Sequence, residues 1–212
     1  MIKFKQIEKA ALAINIAIIL LEIAGFCHSI PVLGWWNLIY YTEDSNAMML
    51  IASIVYSIYL IRHIKNPKFK LPSWLQALKY MATLSVAVTL LVVLTILPWS
   101  MHVSLWTLLT SGSMLYHHTL CPILALVSFV FLEKYQLKSA TKIAQALIFT
   151  LVYATIMIPL NIAKLVSGPY PFLMVYKQPI WASILWVVVI MGGAFGLAKI
   201  IAICNQKFSK AN

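Results

Sequence analysis

Six apolar runs, each close to the length that crosses a lipid bilayer, constrain the fold of this chain more than any other feature. A helix of about 20 apolar residues spans the hydrocarbon core, and such runs occur at 10–28, 46–64, 80–98, 112–133, 143–163 and 180–204. Because lipid offers no partner for backbone N–H and C=O groups, each run must be helical. We predict an all-α, polytopic protein with six transmembrane helices in a single domain, residues 1–212.

The composition excludes the soluble classes of protein. Hydrophobic residues make up 62% of the 212 residues and charged residues 10%, against about 45–50% and about 25% in soluble domains. A soluble domain of this size buries only about 70% of its surface, which is too little to hide so many apolar side chains. Three cysteines are also too few for a disulfide scaffold.

The net charge of +11 is explained by membrane topology. Of the 16 basic residues, the outer connections hold Lys164 and Lys177, and 14 fall on the other side: Lys3, Lys5, Lys9, Arg62, Lys65, Lys68, Lys70, Lys79, Lys134, Lys138, Lys142, Lys199, Lys207 and Lys210. The positive-inside rule then predicts that both termini are cytoplasmic. Basic residues at the membrane edge attract anionic lipid headgroups, so membrane lipids are expected partners and nucleic acid is not.

The polar residues that a membrane helix would normally avoid gather on the opposite, outer side. The first outer connection leads into Thr42-Glu43-Asp44-Ser45-Asn46, the fourth span carries His117 and His118, and Tyr170-Pro171-Phe172 precedes the sixth span. Polar and ionisable groups at membrane depth are costly and mark functional sites. We therefore expect any chemistry to take place in the outer half of the protein.

Thr42, Ser45 and Asn46 have the spacing that places side chains on one face of a helix. One interpretation is structural: Thr42 or Asp44 caps the helix start, where the dipole also favours acidic residues. The other is chemical, because a hydroxyl becomes a nucleophile when a nearby histidine takes its proton. The sequence supports both interpretations.

The fourth span supplies two candidate bases. His118 lies one turn before Pro122, whereas His117 points about 100° away, so only one of the two histidines is expected to face the second span. A histidine in a membrane helix also commonly bonds a neighbouring helix, and Glu22 in the first span is an acid that could orient one. Adjacent histidines point apart and lack an acidic or histidine partner one turn on. We predict no metal site and no cofactor.

Three segments together carry a resemblance to a known family. Tyr41-Thr42-x-x-Ser45-Asn46, His118-x-x-x-Pro122 and Tyr170-Pro171-Phe172 occur in this order among six spans. In this the chain resembles bacterial six-span membrane proteins related to the androgen-induced protein family. The animal members of that family are threonine hydrolases that act on fatty acid esters of hydroxy fatty acids. The resemblance implies an integral protein of a bacterial cell membrane.

The resemblance also implies roles for particular residues. Thr42 matches the nucleophile, and His118 or its neighbour His117 matches the base. Ser45 and Asn46 match polar positions, with Asn46 a candidate oxyanion donor, and Tyr170 and Phe172 are expected to shape the substrate cavity. The acidic pair Glu43-Asp44 departs from the family pattern.

Two functions follow from the sequence. The first is a membrane-embedded lipid ester hydrolase that acts on an amphiphilic ester, with fatty acid esters of hydroxy fatty acids as the substrates the resemblance implies. The alternative is a non-enzymatic protein that binds or transports a lipid or other amphiphile. The oligomeric state and the natural substrate are left open.

Overall fold

The chain is helical along most of the part that the structure, a computed structural model, describes: residues 2–135, 137 and 139–211. Among these residues the α-helices are α1 (Ile2–Leu33), α2 (Tyr41–Lys65), α3 (Ser73–Thr95), α4 (Leu97–Met101), α5 (Leu105–Thr110), α6 (Cys121–Val127), α7 (Ala140–Ile162) and α8 (Ile180–Ala211). Tighter 3₁₀ turns occur at Gly34–Ile39, Pro171–Leu173 and Val175–Lys177, and wider π turns at Leu115–Leu120 and Ser128–Leu132. None of the described residues lies in a β-strand.

Six segments of the described chain are long and apolar enough to cross a membrane, which confirms the predicted fold class. They are Gln6–Ile39, Tyr41–Lys65, Ser73–Thr95, Leu115–Leu132, Ala140–Ile162 and Ile180–Phe208. Large apolar side chains on the surfaces of these segments that face away from the bundle are exposed, for example Leu20 at 62% and Ile184 at 60%. Such a surface would drive association in water but is covered by lipid in a bilayer. The chain is built as an integral membrane protein.

Helix α3 lies at the centre of the bundle. In its most apolar stretch 61% of the residues are buried, against 22% in each of α7 and α8. It packs against α2, α6, α7 and α8, and small side chains such as Ala82, Ser85 and Ala87 allow this close approach. The other spans therefore surround α3, and α7 and α8 have the smallest buried share among the six spans.

The fourth span departs from regular α-helix at the two histidines. Pro122 has no N–H, and in an α-helix its ring would clash with the carbonyl of residue 118. The structure accommodates it at the start of α6 with a π turn, Leu115–Leu120, immediately before. Such turns widen a helix locally and recur at functional sites. Both histidines on this turn, His117 and His118, are buried.

Most lysines lie at the starts of α1, α3 and α7 and at the ends of α2, α8 and the fourth span, which we call the lysine-rich end. One basic residue departs from the predicted distribution of charge. Lys138 lies outside the described residues, as do the side chains of Lys3, Lys5 and Lys210. The correction concerns Lys79, which the sequence placed with the basic residues at the membrane edge.

Lys79 lies within α3, and its side chain is fully buried. Its Nζ donates to Oδ1 of Asn15 at 2.7 Å and lies 3.5 Å from Oε1 of Glu133. Glu133 also accepts hydrogen bonds from Asn15 at 3.2 Å, from Ser128 at 2.7 Å and from Tyr135. A buried charge is tolerated only when it is paired and hydrogen-bonded, and this cluster meets both conditions. Lys79 therefore ties α1, α3 and the end of the fourth span together.

Candidate functional site

The structural interpretation of Thr42 or Asp44 as the cap of α2 is wrong. The helix begins at Tyr41, Tyr40 precedes it without a side-chain cap, and Thr42 lies inside the first turn. The N–H of Thr42 is one of the donors that a helix start leaves without an intrahelical partner. It donates to the hydroxyl of Tyr170 at 3.3 Å. A tyrosine 128 residues away thus does what a local cap would do.

The same phenol is hydrogen-bonded to the side chain of Thr42, with 3.2 Å between Oγ1 and the Tyr170 hydroxyl. Tyr170 is buried, stacks on Phe172 with 5.2 Å between ring centroids, and meets the ring of Tyr40 edge-on. Burial raises the pKa of Tyr170 to about 12. The phenol is therefore protonated at neutral pH and has a hydrogen to donate beside Thr42.

Thr42 and Tyr170 lie on the wall of a large apolar cavity. Its volume is about 520 Å³, within the range of about 300–1,000 Å³ usual for small-molecule sites. Most of the wall is apolar, and its polar members are Tyr41, Thr42, Thr89, Thr150, Tyr153, Tyr170, Tyr176, Gln178 and Ser183. A cavity of this kind suits a long apolar chain that carries one polar group. Phe172 also lines it, as the sequence predicted.

Ser45 and Asn46 fix the backbone of Thr42. The Thr42 carbonyl accepts from the Ser45 hydroxyl at 2.9 Å and from Nδ2 of Asn46 at 2.7 Å. The second amide hydrogen of Asn46 has an acceptor 3.1 Å away in the carbonyl of His117. Because both amide hydrogens of Asn46 have carbonyl acceptors, this residue holds the first turn of α2 against the fourth span rather than pointing a free donor at the cavity.

His117 lies between two carboxylates. Its Nδ1 is 3.1 Å from Oε1 of Glu43, and its Nε2 is 3.5 Å from Oε2 of Glu22. The imidazole also packs directly on the backbone of α1, since a Cβ at Gly25 would come within 2.2 Å of Nε2. Only the contact through Nδ1 is a hydrogen bond, since Nε2 and both carboxyl oxygens of Glu22 have no hydrogen-bond partner among the described residues. His117 is thus placed to link α1, α2 and the fourth span.

Glu43 is held by a second contact. The Ser29 hydroxyl donates to its Oε2 at 2.8 Å, and Asn37 donates to Ser29 at 3.2 Å. Glu43 therefore has buried polar partners from α1 and the fourth span. Sequence reasoning assigned no partner to Glu43 and named Glu22 as an acid that could orient a histidine. The sequence signal that could have predicted these contacts was the presence of two acids and a histidine at one membrane depth.

His118 has a different environment. Its Nδ1 lies 2.7 Å from the carbonyl oxygen of Leu108 in α5. A carbonyl can only accept, so Nδ1 carries the hydrogen, and in the neutral ring the lone pair is on Nε2. This is the tautomer that a general base with a free Nε2 requires. His118 is buried, at 7% exposure.

The structure brings together only part of the predicted site. Thr42, Tyr170 and Phe172 share the cavity, whereas neither His117 nor His118 is among the described residues that line it. The physical reason for His117 lies in Glu43, which follows Thr42 on the helix and so points about 100° away from it. The hydrogen bond from this imidazole to Glu43 holds it against α1 and α2, away from the cavity.

Comparisons with known proteins add no relative: the chain matches no protein-family model, no curated protein and no solved structure. The resemblance to the androgen-induced protein family therefore stays a prediction. Among the described residues, no three histidine, cysteine, aspartate or glutamate side chains form a group that could hold a metal ion. The function must be argued from the geometry of the site.

Proposed function

We propose that this protein is a membrane-embedded hydrolase of lipid esters in which Thr42 is the nucleophile. One observation carries the proposal: the Thr42 hydroxyl lies at a helix start on the wall of a 520 Å³ apolar cavity, bonded to a buried phenol. The cavity suits the acyl chain of an ester, and the carbonyl group of that ester would then lie beside the Thr42 hydroxyl. Oγ1 attacks the carbonyl, the alcohol leaves with a proton, and water then releases the acid from the acyl-threonine.

The oxyanion formed in this attack needs hydrogen-bond donors that point to it. We assign this role to the Tyr170 hydroxyl and the N–H of Thr42, in place of Asn46. The Thr42 nitrogen and the Tyr170 hydroxyl oxygen lie 3.3 Å apart. The carbonyl oxygen of a bound substrate would accept from both and replace the hydrogen bond between them. The start of α2 adds the partial positive charge of a helix N-terminus.

We assign His118 as the base that takes the proton of Thr42. Its bond to Leu108 leaves Nε2 as the basic nitrogen, whereas both nitrogens of His117 face carboxylates. Proton transfer needs Nε2 within about 3 Å of the reacting hydroxyl, directly or through one water. Substrate binding that frees Thr42 from Tyr170 would let its side chain turn toward this base.

The second candidate is a protein that binds an amphiphile without chemistry. It is favoured by the hydrogen bonds that the three key side chains make: Thr42 with Tyr170, His117 with Glu43, and His118 with Leu108. A binding protein needs the cavity but not the reactivity of Thr42. The two functions therefore differ in what happens to the Thr42 hydroxyl.

Labelling with a lipophilic, hydroxyl-directed electrophile separates the two functions. We expect the purified protein to form one adduct, which peptide mass spectrometry locates at Thr42 and which is absent from Thr42→Ala. Thr155→Ala is the matched control, because Thr155 is a lipid-exposed threonine in α7 outside the cavity. Equal labelling of wild type and Thr42→Ala would contradict the hydrolase and leave the binding protein.

The distribution of basic residues also supports an orientation in the membrane. We infer that both termini are cytoplasmic and that the cavity lies toward the outer face of a bacterial cell membrane. A reporter fused after residue 212 should behave as cytoplasmic, and one inserted near Ser104 as external. The reverse pattern would contradict the orientation without affecting the chemistry.

A further inference from the structure

A second cavity lies at the lysine-rich end. It has a volume of about 370 Å³ and lies between the N-terminal halves of α3 and α7. Its wall includes Ser73 and Trp74 from α3 and Lys142, Gln145 and Ile148 from α7. It shares no lining residue with the cavity beside Thr42. The hydrolase mechanism does not use it.

The polar groups of this crevice favour an anion. Lys142 is the only charged side chain among the described residues that line it. The crevice also lies at the starts of two long helices, with Ser73 the first residue of α3 and Lys142 the third of α7. Helix starts carry partial positive charge, which adds to that of the ammonium group.

The crevice also holds an acceptor that calls for a donor. Oε1 of Gln145 is buried and has no hydrogen-bond partner among the described residues. A buried polar atom without a partner is costly. A ligand that offers both an anionic group and a hydroxyl would meet the requirements of Lys142 and Gln145 together.

The rim of the crevice leads onto the surface that faces lipid. Trp74 is 51% exposed and Ile148 48% exposed, and Trp74 meets Tyr59 edge-on at 5.5 Å. Exposed tryptophans of this kind anchor proteins at the level of lipid headgroups. A ligand in the crevice can therefore extend apolar chains over Trp74 and Ile148 into the bilayer.

We propose that this crevice binds an anionic glycerophospholipid, whose phosphate contacts the ammonium of Lys142 and whose headgroup hydroxyl donates to Oε1 of Gln145 once the Gln145 side chain rotates to open this buried atom to the crevice. Phosphatidylglycerol has both groups. Phosphatidylcholine has no net charge and no headgroup hydroxyl, and phosphatidic acid has the phosphate without the glycerol headgroup. Basic pockets between membrane helices are known to hold such headgroups.

Native mass spectrometry of the full chain in detergent tests this, with phosphatidylglycerol, phosphatidic acid and phosphatidylcholine of identical acyl chains. We expect the wild type to retain phosphatidylglycerol best. Lys142→Gln should lower its retention about fivefold, the factor that corresponds to about 1 kcal/mol for one lysine near the headgroups. Lys199→Gln is the matched control, since Lys199 is an exposed lysine outside the crevice, and should change nothing.

Gln145→Leu tests the second contact. This variant keeps the volume of the side chain but removes the acceptor, so it should retain phosphatidylglycerol and phosphatidic acid equally. Circular dichroism of each variant verifies that the bundle is intact. Unchanged phosphatidylglycerol retention in Lys142→Gln, or equal retention of phosphatidylcholine by the wild type, would overturn the proposal. A preference for phosphatidylglycerol that survives in Gln145→Leu would overturn the contact with Gln145.

Discussion

Oε1 of Glu43 lies 3.1 Å from Nδ1 of His117, and this hydrogen bond connects the first turn of α2 to the fourth span. Thr42, the preceding residue, points instead to the apolar cavity. The two neighbours thus divide the helix start into one face that meets α1 and the fourth span and another that faces the cavity. The contact of Glu43 with His117 holds the helix start that carries the Thr42 hydroxyl.

Substitution of His117 should therefore lower the stability of the folded protein. His117→Gln removes the imidazole that is hydrogen-bonded to the buried carboxyl group of Glu43. A buried polar group that loses its partner costs about 1–3 kcal/mol, and thermal unfolding in detergent should show a drop in the midpoint. His28→Gln provides the control, because His28 is exposed on the same helix as Glu22. A similar, small shift in both variants would show that the pair contributes nothing.

Gly25 is needed for the position of this imidazole. A Cβ there would lie 2.2 Å from Nε2 of His117, whereas a Cβ at Gly192 meets no heavy atom within 4 Å. Gly25→Ala should lose about 1–3 kcal/mol through overpacking. Gly192→Ala should gain up to about 1 kcal/mol, since alanine is the better helix former. Denaturant unfolding of the two variants should move in opposite directions, and a stabilised Gly25→Ala would contradict the packing described.

Tyr170→Phe separates the two contributions of that side chain. The variant keeps the stacking on Phe172 but removes the hydroxyl that contacts the N–H and Oγ1 of Thr42. If the phenol stabilises the oxyanion, ester turnover should fall about 10²–10³-fold, while stability falls by only about 1 kcal/mol. Tyr176→Phe, whose hydroxyl is 3.5 Å from Ser167, should keep most of the activity. Full turnover in Tyr170→Phe would remove the phenol from the mechanism.

The buried cluster at the lysine-rich end lends itself to a double-mutant cycle. Lys79→Met leaves Glu133 buried without its cation and should cost about 3–5 kcal/mol. Lys79→Met combined with Glu133→Leu removes both charges and should cost less than the two single changes together. Unfolding of the four proteins measures the coupling. Additive losses would mean that the 3.5 Å contact is not an effective ion pair.

The fold class was predictable because the length of an apolar run alone decides whether a segment spans a bilayer. The π turn before Pro122 was not predictable, since it depends on how the chain relieves the clash between the proline ring and the carbonyl of residue 118. The buried position of Lys79 was missed because its partner Glu133 lies in another span, 54 positions further along the chain. The contact between Thr42 and Tyr170 depends on the path of the connection between α7 and α8. No local sequence pattern predicts that path.

The central claim, that Thr42 is a nucleophile, is tested most directly by the turnover of a lipid ester. The full chain is reconstituted in vesicles, and release of fatty acid is measured for wild type, Thr42→Ala, Thr42→Ser and Thr155→Ala at matched protein levels. Wild type and Thr155→Ala should hydrolyse the ester at similar rates, and Thr42→Ser should keep part of the activity because its hydroxyl remains. Thr42→Ala should release no fatty acid above empty vesicles. Equal turnover by Thr42→Ala and wild type would contradict the claim.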